Sequence, residues 1–226
     1  NHVSADWGVQ TLAPGNYSHA SAMGLSGTLT LSGSSTDTWV LHTIGALTTS
    51  ASSNVVLSGG ALAMNVFWIV DGAFTSGASS TFKGVVLGKA AITMGAGCLM
   101  EGRLYGKQAV AASVMSFLDG SNIDLPTLDN SPLITLGVLS TYMIYNSWGN
   151  ITRTGTPQTD QSAILTGLGT ISGFSAAYNG TYTSGVVQPT IWTDFMLFNN
   201  GVMVPESMRC IQKPVSDCHC ISFNCD

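Results

Sequence analysis

Cysteine shows the clearest chemical pattern in this 226-residue chain. Four of the five cysteines lie at or beyond position 210: Cys210, Cys218, Cys220 and Cys225. Such a cluster is typical of a disulfide framework or a metal site. A zinc site would use Cys218, His219 and Cys220 with another thiolate, a spacing that fits tetrahedral ligation less well than Cys-x2-Cys. We therefore predict a disulfide-bonded tail and leave Cys98 as a small buried residue, with an intermolecular bridge as the alternative.

Catalytic and metal-binding patterns find little support elsewhere in the chain. Its four histidines are His2, His19, His42 and His219. They form no motif for a nucleophile or a metal. Asp119, Asp124 and Asp129 are spaced too widely for a calcium loop. A glycosidase would be recognised by the distance between its two carboxyl groups, which the sequence does not give. We expect no enzyme, no metal and no cofactor.

Three N-glycosylation sequons begin at Asn16, Asn150 and Asn179. Together with the cysteine cluster they favour an exported protein that carries covalent glycans. The sequence begins at Asn1 without an initiator Met, so we expect a mature secreted or cell-surface chain whose leader has been removed.

The composition excludes several classes of protein. Asp, Glu, Lys and Arg make up 8% of the residues, against about 25% in globular proteins, which argues against coiled coils and long surface helices. The net charge of -5 and the scattered basic residues argue against nucleic-acid binding. No apolar run reaches the roughly 18 residues of a membrane-spanning helix. With 26 glycines and 45% hydrophobic residues, an all-β protein is predicted.

Short apolar runs recur between Gly, Ser and Thr breaks from Thr11 to about Val114. In the run 28–32, Thr and Ser alternate with Leu, which indicates a half-buried strand. Runs of this length suit a solenoid whose coils place strands on flat faces, although a jelly roll or sandwich would also be compatible. Residues Lys107–Leu118 have a helix-like spacing and predict either one short helix or a further coil.

Five motifs carry a family resemblance. Residues 11–17 and 25–31, the "NVFW" run 65–70, the "FKG" run 81–84 and the "GR" run 102–104 follow one another in order. This order and spacing resemble the microbial ice-binding β-solenoid family. The resemblance implies an irregular right-handed β-solenoid in which Phe or Trp fills the interior and glycine permits sharp corners.

The later part of the chain resembles the beginning of the same family's domain. The matching segments are 136–142, 149–156, 165–174 and 179–181. The order of the two parts therefore looks exchanged. We predict four regions: 1–118 as the later two-thirds of the solenoid, 119–132 as a linker, 133–190 as the family's first third, and 191–226 as an aromatic strand with the Cys-rich tail.

This order allows the complementing segment to close the solenoid in its own chain, as a permuted monomer, or in a neighbouring subunit. An open solenoid end is a template for strand addition, and a head-to-tail contact generates a fibre. The sequence interpretation is a secreted structural subunit that polymerises with copies of itself. The candidate assembly residues are Leu136, Leu139, Tyr142 and Ile144.

Two other functions are compatible with the sequence. The resemblance implies ice binding, for which Thr75, Thr81 and Thr93 are candidate outward residues by strand alternation, although Lys83 and Lys89 would roughen such a plane. A surface adhesin would instead use exposed aromatic side chains to stack on sugars. The aromatic candidates are Trp7, Trp39, Trp148, Tyr182 and Trp192.

Overall fold

A computed structural model describes residues 6–106, 114–126, 142–155, 163–168, 171–174 and 183–184. Within these ranges the chain forms parallel β-strands and one 3-10 turn, Ala63–Asn65. The strands belong to two sheets. Within each sheet, strands that are hydrogen-bonded to each other come from successive coils of the chain. This arrangement is a β-solenoid, and it confirms the all-β fold expected from composition.

The larger sheet contains β1 (Gln10–Leu12), β2 (Gly15–His19), β4 (Thr28–Ser32), β5 (Trp39–Thr43), β7 (Asn54–Ser58), β8 (Val66–Val70), β10 (Thr81–Gly88), β12 (Leu99–Gly106), β14 (Asn122–Asp124), β15 (Tyr142–Trp148), β17 (Ala163–Leu168) and β19 (Thr183–Ser184). The smaller sheet contains β3 (Met23–Leu25), β6 (Leu47–Thr49), β9 (Phe74–Thr75), β11 (Ile92–Met94), β13 (Met115–Phe117), β16 (Ile151–Arg153) and β18 (Ile171–Ser172).

The solenoid has three faces. The first face contains β1, β4, β7, β14 and the beginnings of β10 and β12, and the second contains β2, β5, β8, β15, β17, β19 and the ends of β10 and β12. The smaller sheet is the third face. The long strands β10 and β12 bend between the first two faces at the paired residues Gly84 and Gly102. Gly84 has a φ of 121°, and a Cβ there would lie 2.7 Å from Trp68 Nε1, so glycine is required at this corner.

Aromatic rings fill the interior of the coils. Trp68 packs between Trp7 and Phe82, at centroid distances of 5.6 and 4.7 Å, and its Nε1 donates a hydrogen bond to the Lys83 carbonyl. Trp39 is equally buried and donates to the Leu12 carbonyl at 3.2 Å. Neither Trp7 nor Trp39 is available to stack on a sugar. The other three aromatic candidates, Trp148, Tyr182 and Trp192, have side chains outside the described residues.

The later strands continue the solenoid of their own chain. Ile144 of β15 is in register with Leu104 of β12, and Ile151 of β16 is in register with Met115 of β13. Ile144 is fully buried in the same core. This part of the chain therefore closes on its own neighbours, and the expected donation of Ile144 to another subunit is wrong. Tyr142 also belongs to β15.

A buried arginine joins these later coils to the core. Arg153 of β16 donates a hydrogen bond from Nη1 to the Ser121 carbonyl at 2.6 Å. Its guanidinium lies 5.3 Å from the ring centroid of Phe117 and 5.1 Å from that of Phe174. Such cation–π contacts offset part of the free-energy cost of removing the guanidinium from water.

Two local expectations fall on described residues. Met115–Phe117 is strand β13, so the end of the segment Lys107–Leu118 follows the second alternative, a further coil of the solenoid, and not the helix. Asn122–Asp124 is strand β14, which pairs with β12 inside the segment expected to be a linker. Residues 107–113 and 127–132 lie outside the described part of the chain. The four-region division itself remains a prediction.

Candidate functional site

The third face carries a line of outward hydroxyl groups. Strand register aligns the second residues of β3, β6, β9, β11, β13, β16 and β18, one above the other. After Gly24, this hydroxyl column consists of Thr48, Thr75, Thr93, Ser116, Thr152 and Ser172. Because neighbouring strands lie about 4.8 Å apart, the hydroxyls repeat at that interval along the solenoid axis.

A second column, mostly of methyl groups, runs beside the hydroxyl column. The first residue of each strand donates a backbone hydrogen bond to the carbonyl of the residue that precedes the strand in the next coil, as in Leu47 N to Ala73 O at 2.9 Å, and these bonds align the preceding residues in a column. This methyl column consists of Ala22, Ala46, Ala73, Ala91 and Val114, and it ends at Asn150. Since side chains alternate along a strand, both columns point outward and flank the buried residue between them.

The third face is held flat from below. The residues between the two columns are buried and apolar: Met23, Leu47, Phe74, Ile92, Met115 and Ile151. At the corner before the methyl column, a Cβ on Gly72 would lie 2.5 Å from the Ala46 nitrogen. The coils therefore stack in close backbone contact, and the outward groups stand on a rigid support.

Inward hydroxyls under this face are satisfied by the protein itself. The Thr49 Oγ1 accepts a hydrogen bond from Gly77 N at 2.8 Å, and the Ser76 Oγ accepts one from Gly95 N at 2.9 Å. Thr49 and Ser76 close the turns that follow the strands of the next coil. The inward and outward hydroxyls of neighbouring residues thus have different tasks, one in folding and one at the surface.

Two of the three threonines predicted from the sequence lie on this face. Thr75 and Thr93 are direct cross-strand neighbours in the hydroxyl column. Thr81 lies on the first face instead, in register with Asn54 and Leu99, so it does not belong to the same surface. Strand alternation placed all three side chains outward but could not say which face each one occupied.

The sequence analysis missed the other members of the hydroxyl column. Three of the coils share a tripeptide of alanine, a large apolar residue and threonine: Ala46-Leu47-Thr48, Ala73-Phe74-Thr75 and Ala91-Ile92-Thr93. Val114-Met115-Ser116 and Asn150-Ile151-Thr152 are looser copies. This tripeptide is the signal that would have identified the face.

The two lysines expected to roughen an ice-binding plane lie elsewhere. Lys83 is on the first face and pairs with Glu101 at 2.5 Å. Lys89 lies at the corner between the second and third faces, where its Nζ is 2.7 Å from Asp71 Oδ1. Neither column of the third face contains a charged residue, so its electrostatic character is that of neutral hydroxyl and methyl groups.

A carboxylate closes the first coil beside this face. Asp6 forms a parallel bridge with Gly24 and accepts hydrogen bonds from Gly8 N at 2.7 Å and from the Ser26 nitrogen and hydroxyl. Partial burial raises the pKa of Asp6, but the hydrogen bonds from Ser26 and Gly8 outweigh it, so the pKa lies below its usual value. The lowered pKa keeps the Asp6 carboxylate ionised at the corner, at the end of the hydroxyl column.

The remaining candidate residues are dispersed. Cys98 is a free, buried thiol that accepts a hydrogen bond from Ser80 at 3.2 Å, so it is a core residue and not an intermolecular bridge. Asn16 and Asn150 are exposed, the latter at the end of the methyl column. The rest lie outside the described residues: Asn179, Leu136, Leu139, Cys210, Cys218, Cys220 and Cys225. No group of metal-binding side chains is found in the part of the chain that the structure describes.

The fold and this surface define a parallel β-solenoid with one neutral, hydroxyl-lined face. Residues 1–115 match the family model described as Ice-binding-like, and the chain belongs to that family. Ice-binding protein K1-A of Typhula ishikariensis is 42% identical over 84 residues, which is 37% of this chain and 35% of that protein. An ice-binding protein of Flavobacterium frigoris is 41% identical over 85 residues, 38% of this chain and 31% of that protein.

Solved structures show the same likeness. An ice-binding protein from an Antarctic Flavobacteriaceae bacterium aligns with 88% of this chain and 48% of its own, at a TM-score of 0.54 and 30% identity. A domain of a Shewanella frigidimarina ice-binding protein aligns with 57% of this chain and 53% of its own, at a TM-score of 0.52 and 27% identity. The chain spans about a third of the length of the curated relatives it matches.

These comparisons overturn the main functional interpretation of the sequence. The relatives are named as ice-binding proteins, and none of them indicates a filament or a surface layer. The strand pairing agrees with this correction. Ile144 and its strand pair within their own chain, so this fold does not depend on head-to-tail donation to an open edge. The relatives are likewise not named as enzymes. Among the described residues, no helix is long and apolar enough to cross a membrane.

Proposed function

We propose that this chain binds ice through the third face of its solenoid. The observation that carries the proposal is the in-register hydroxyl column beside the methyl column, in a chain of the Ice-binding-like family. The family's named relatives bind ice, and this face is where the chain presents a regular, uncharged surface. The proposal replaces polymerisation as the function of the molecule.

The chemistry of the face suits a solid made of water. Each threonine or serine hydroxyl both donates and accepts a hydrogen bond, so it can take part in a water lattice in either direction. The methyl groups of Ala46, Ala73 and Ala91 offer no competing polar group, and their hydration favours ordered water beside the hydroxyls. Because the strands are short and closely stacked, the column keeps its spacing when it meets the crystal.

The test compares two threonines that differ in the face they occupy. Thr93 is at the middle of the hydroxyl column, and Thr30 is a half-buried outward residue of β4 on the first face. Thr93→Tyr places a ring above the plane and should remove most of the thermal hysteresis, the gap between melting and freezing points. Thr30→Tyr adds the same ring elsewhere and should leave this gap unchanged.

Circular dichroism and the melting temperature (Tm) show whether both variants keep the fold. Loss of hysteresis in Thr30→Tyr, with a fully active Thr93→Tyr, would place ice binding on the first face and refute this assignment. Equal, unchanged hysteresis in both variants would refute a role for either surface. Absence of hysteresis and of recrystallisation inhibition in the unmodified, folded chain would refute ice binding altogether.

We also propose that the protein acts outside the cell and that it is not an enzyme. The cluster of four late cysteines and the sequons support export. The exposed position of Asn150 supports glycosylation at that sequon. Mass spectrometry of secreted material, before and after removal of N-glycans, tests both points. Secreted material without a glycan on Asn150 would refute glycosylation at that sequon.

A further inference from the structure

One N-glycosylation sequon lies across both columns of the third face. Asn150 is the last member of the methyl column, and Thr152 belongs to the hydroxyl column. Ile151 between them is fully buried, so Asn150 and Thr152 point to the same outward side of the strand. The first and third positions of this Asn-x-Thr acceptor pattern are therefore both part of the surface proposed to bind ice.

The structure presents the Asn150 side chain to solvent on a fixed backbone. Asn150 is exposed, whereas the four preceding members of its column are half-buried: Ala46, Ala73, Ala91 and Val114. The Asn150 carbonyl accepts a hydrogen bond from Met115 N at 2.9 Å. The carbonyl of Gly149, the preceding residue, accepts one from Asn146 Nδ2 at 3.2 Å. A group attached to Asn150 would therefore project from the third face itself.

We propose that N-glycosylation of Asn150 masks the part of the third face formed by β13, β16 and β18. This inference rests on the proposed function. The reaction joins Asn150 Nδ2 to the anomeric carbon of the first N-acetylglucosamine of a lipid-linked oligosaccharide diphosphate. The N–C bond forms as the C–O bond to the diphosphate breaks, the amide gives up one proton, and the lipid diphosphate leaves. The product carries a bulky glycan on the outward side of the face.

The position of the glycan is incompatible with close contact to a flat solid. Asn150 and Thr152 are two residues apart on an extended chain, about 7 Å. Ser116 and Ser172 lie in the strands on either side of Thr152, each about 4.8 Å away. A branched sugar chain is wider than one strand spacing, so it covers these three of the six hydroxyl-bearing residues of the column. Because an ice plane is rigid, the projecting glycan also holds it away from the nearest uncovered hydroxyls.

The sequon at Asn16 provides a matched control. Asn16 and Ser18 belong to β2 on the second face, in register with Val40 and His42 of β5. Asn16 is exposed, as Asn150 is, but its strand contributes nothing to the hydroxyl column or the methyl column. A glycan on Asn16 adds the same mass to a different face and should leave thermal hysteresis unchanged.

Single-sequon variants of the full chain, secreted from a eukaryotic host, test the proposal. Asn16→Gln with Asn179→Gln leaves Asn150 as the acceptor, and Asn150→Gln with Asn179→Gln leaves Asn16. A glycan on Asn150 should lower hysteresis about twofold or more, because it covers half of the hydroxyls in the column. An endoglycosidase that leaves one N-acetylglucosamine should restore most of it and, unlike an amidase, puts no aspartate at this position.

Two outcomes of this experiment would overturn the proposal. One is equal hysteresis of the Asn150 glycoform before and after endoglycosidase treatment. The other is an Asn150 that the host leaves unmodified while it glycosylates Asn16, as mass spectrometry of the peptides would show.

A second measurement does not depend on ice. Ser116→Cys places a thiol one strand from Thr152, and Thr48→Cys places one four strand spacings away, about 19 Å. With a glycan on Asn150, a bulky maleimide should label position 116 several times more slowly than after endoglycosidase treatment, with labelling of position 48 unchanged. Mass spectrometry locates the label. Equal labelling of position 116 in both forms would refute masking. Slower labelling without hysteresis in any glycoform would support masking and refute the proposed ice binding, so the two failures are distinguishable.

Discussion

The third face and the outer side of the second face differ in the outward residues of their strands, and these residues differ in exposure to solvent. Both are columns of side chains in register, and both lie over strands whose inward residues are fully buried. The outward residues of the third face are Thr and Ser and are exposed or half-exposed, whereas those of the second face include Phe, Ile, Val, Leu and Tyr and are buried. The interior is therefore common to all faces, and the outward residue determines whether a face meets water or protein.

The largest expected effect is the difference in the free energy of unfolding between the same substitution on the two surfaces. Leu87 lies on the outer side of the second face and is 1% exposed, so Leu87→Asp would bury an unpaired carboxylate, and we expect a loss of about 4 kcal/mol or complete unfolding. Thr75→Asp puts the same group on the third face, where water solvates it, and should change the free energy of unfolding by less than about 1 kcal/mol. Urea denaturation measures both.

Thr75→Asp, which should have the smaller effect on stability, should have a large effect on activity. Thr75→Asp should abolish thermal hysteresis, since a charge organises water around itself rather than in a lattice. A Thr75→Asp variant that unfolds like Leu87→Asp would show that the third face is covered as well, and the contrast between the two surfaces would be lost.

The glycine corner that separates the first face from the second should come next in magnitude. Gly84→Ala combines a φ of 121° with a Cβ 2.7 Å from Trp68 Nε1, and we expect a cost of about 2–4 kcal/mol. Gly60→Ala is the control, because its φ of 100° is also unfavourable but the nearest atom is 3.7 Å away. The difference between the two melting temperatures measures the clash alone. Equal losses would mean that the corner relaxes around the added methyl group.

Adjacent threonines on β6 offer a finer comparison. Thr49→Val removes the acceptor for Gly77 N and should cost about 1–2 kcal/mol without changing the surface. Thr48→Val keeps the shape of an outward residue and should leave stability almost unchanged while lowering hysteresis. Measuring both properties in both variants tests the division of tasks between inward and outward hydroxyls. A stable, less active Thr49→Val would contradict it.

The smallest effect concerns pH. The pKa of Asp6 is lowered in the folded chain, so its contribution to stability is present above the pKa of the unfolded chain and is lost as pH falls through the lower folded value. Asp6→Asn should remove this acid-side loss, by a small amount because the group is only partly buried and water screens its charge. Hysteresis of the native chain should remain constant with pH as long as it stays folded, because neither column holds a titratable group. A pH-dependent hysteresis without unfolding would implicate Asp6 or another charge in the site.

The fold was predictable from local sequence because its signals are local. The "NVFW" run places Trp68 inside the coil, and the glycines at 84 and 102 form the corner between faces, as the motif resemblance implied. Strand alternation also placed Thr75 and Thr93 outward. The assignment of Thr81 to the same surface and of Ile144 to a neighbouring subunit was wrong, because both depend on register between distant strands.

The amino-acid sequence alone determined the all-β solenoid, the buried rings, the corner glycines and the neutral character of the chain. The tertiary structure decided which outward residues share a surface. Coils of unequal length place Thr48 and Thr75 27 positions apart but Thr75 and Thr93 18 apart, so no fixed repeat shows the column in the sequence. Backbone hydrogen bonds between parallel strands impose the common register, and this register brings scattered hydroxyls together into one flat face.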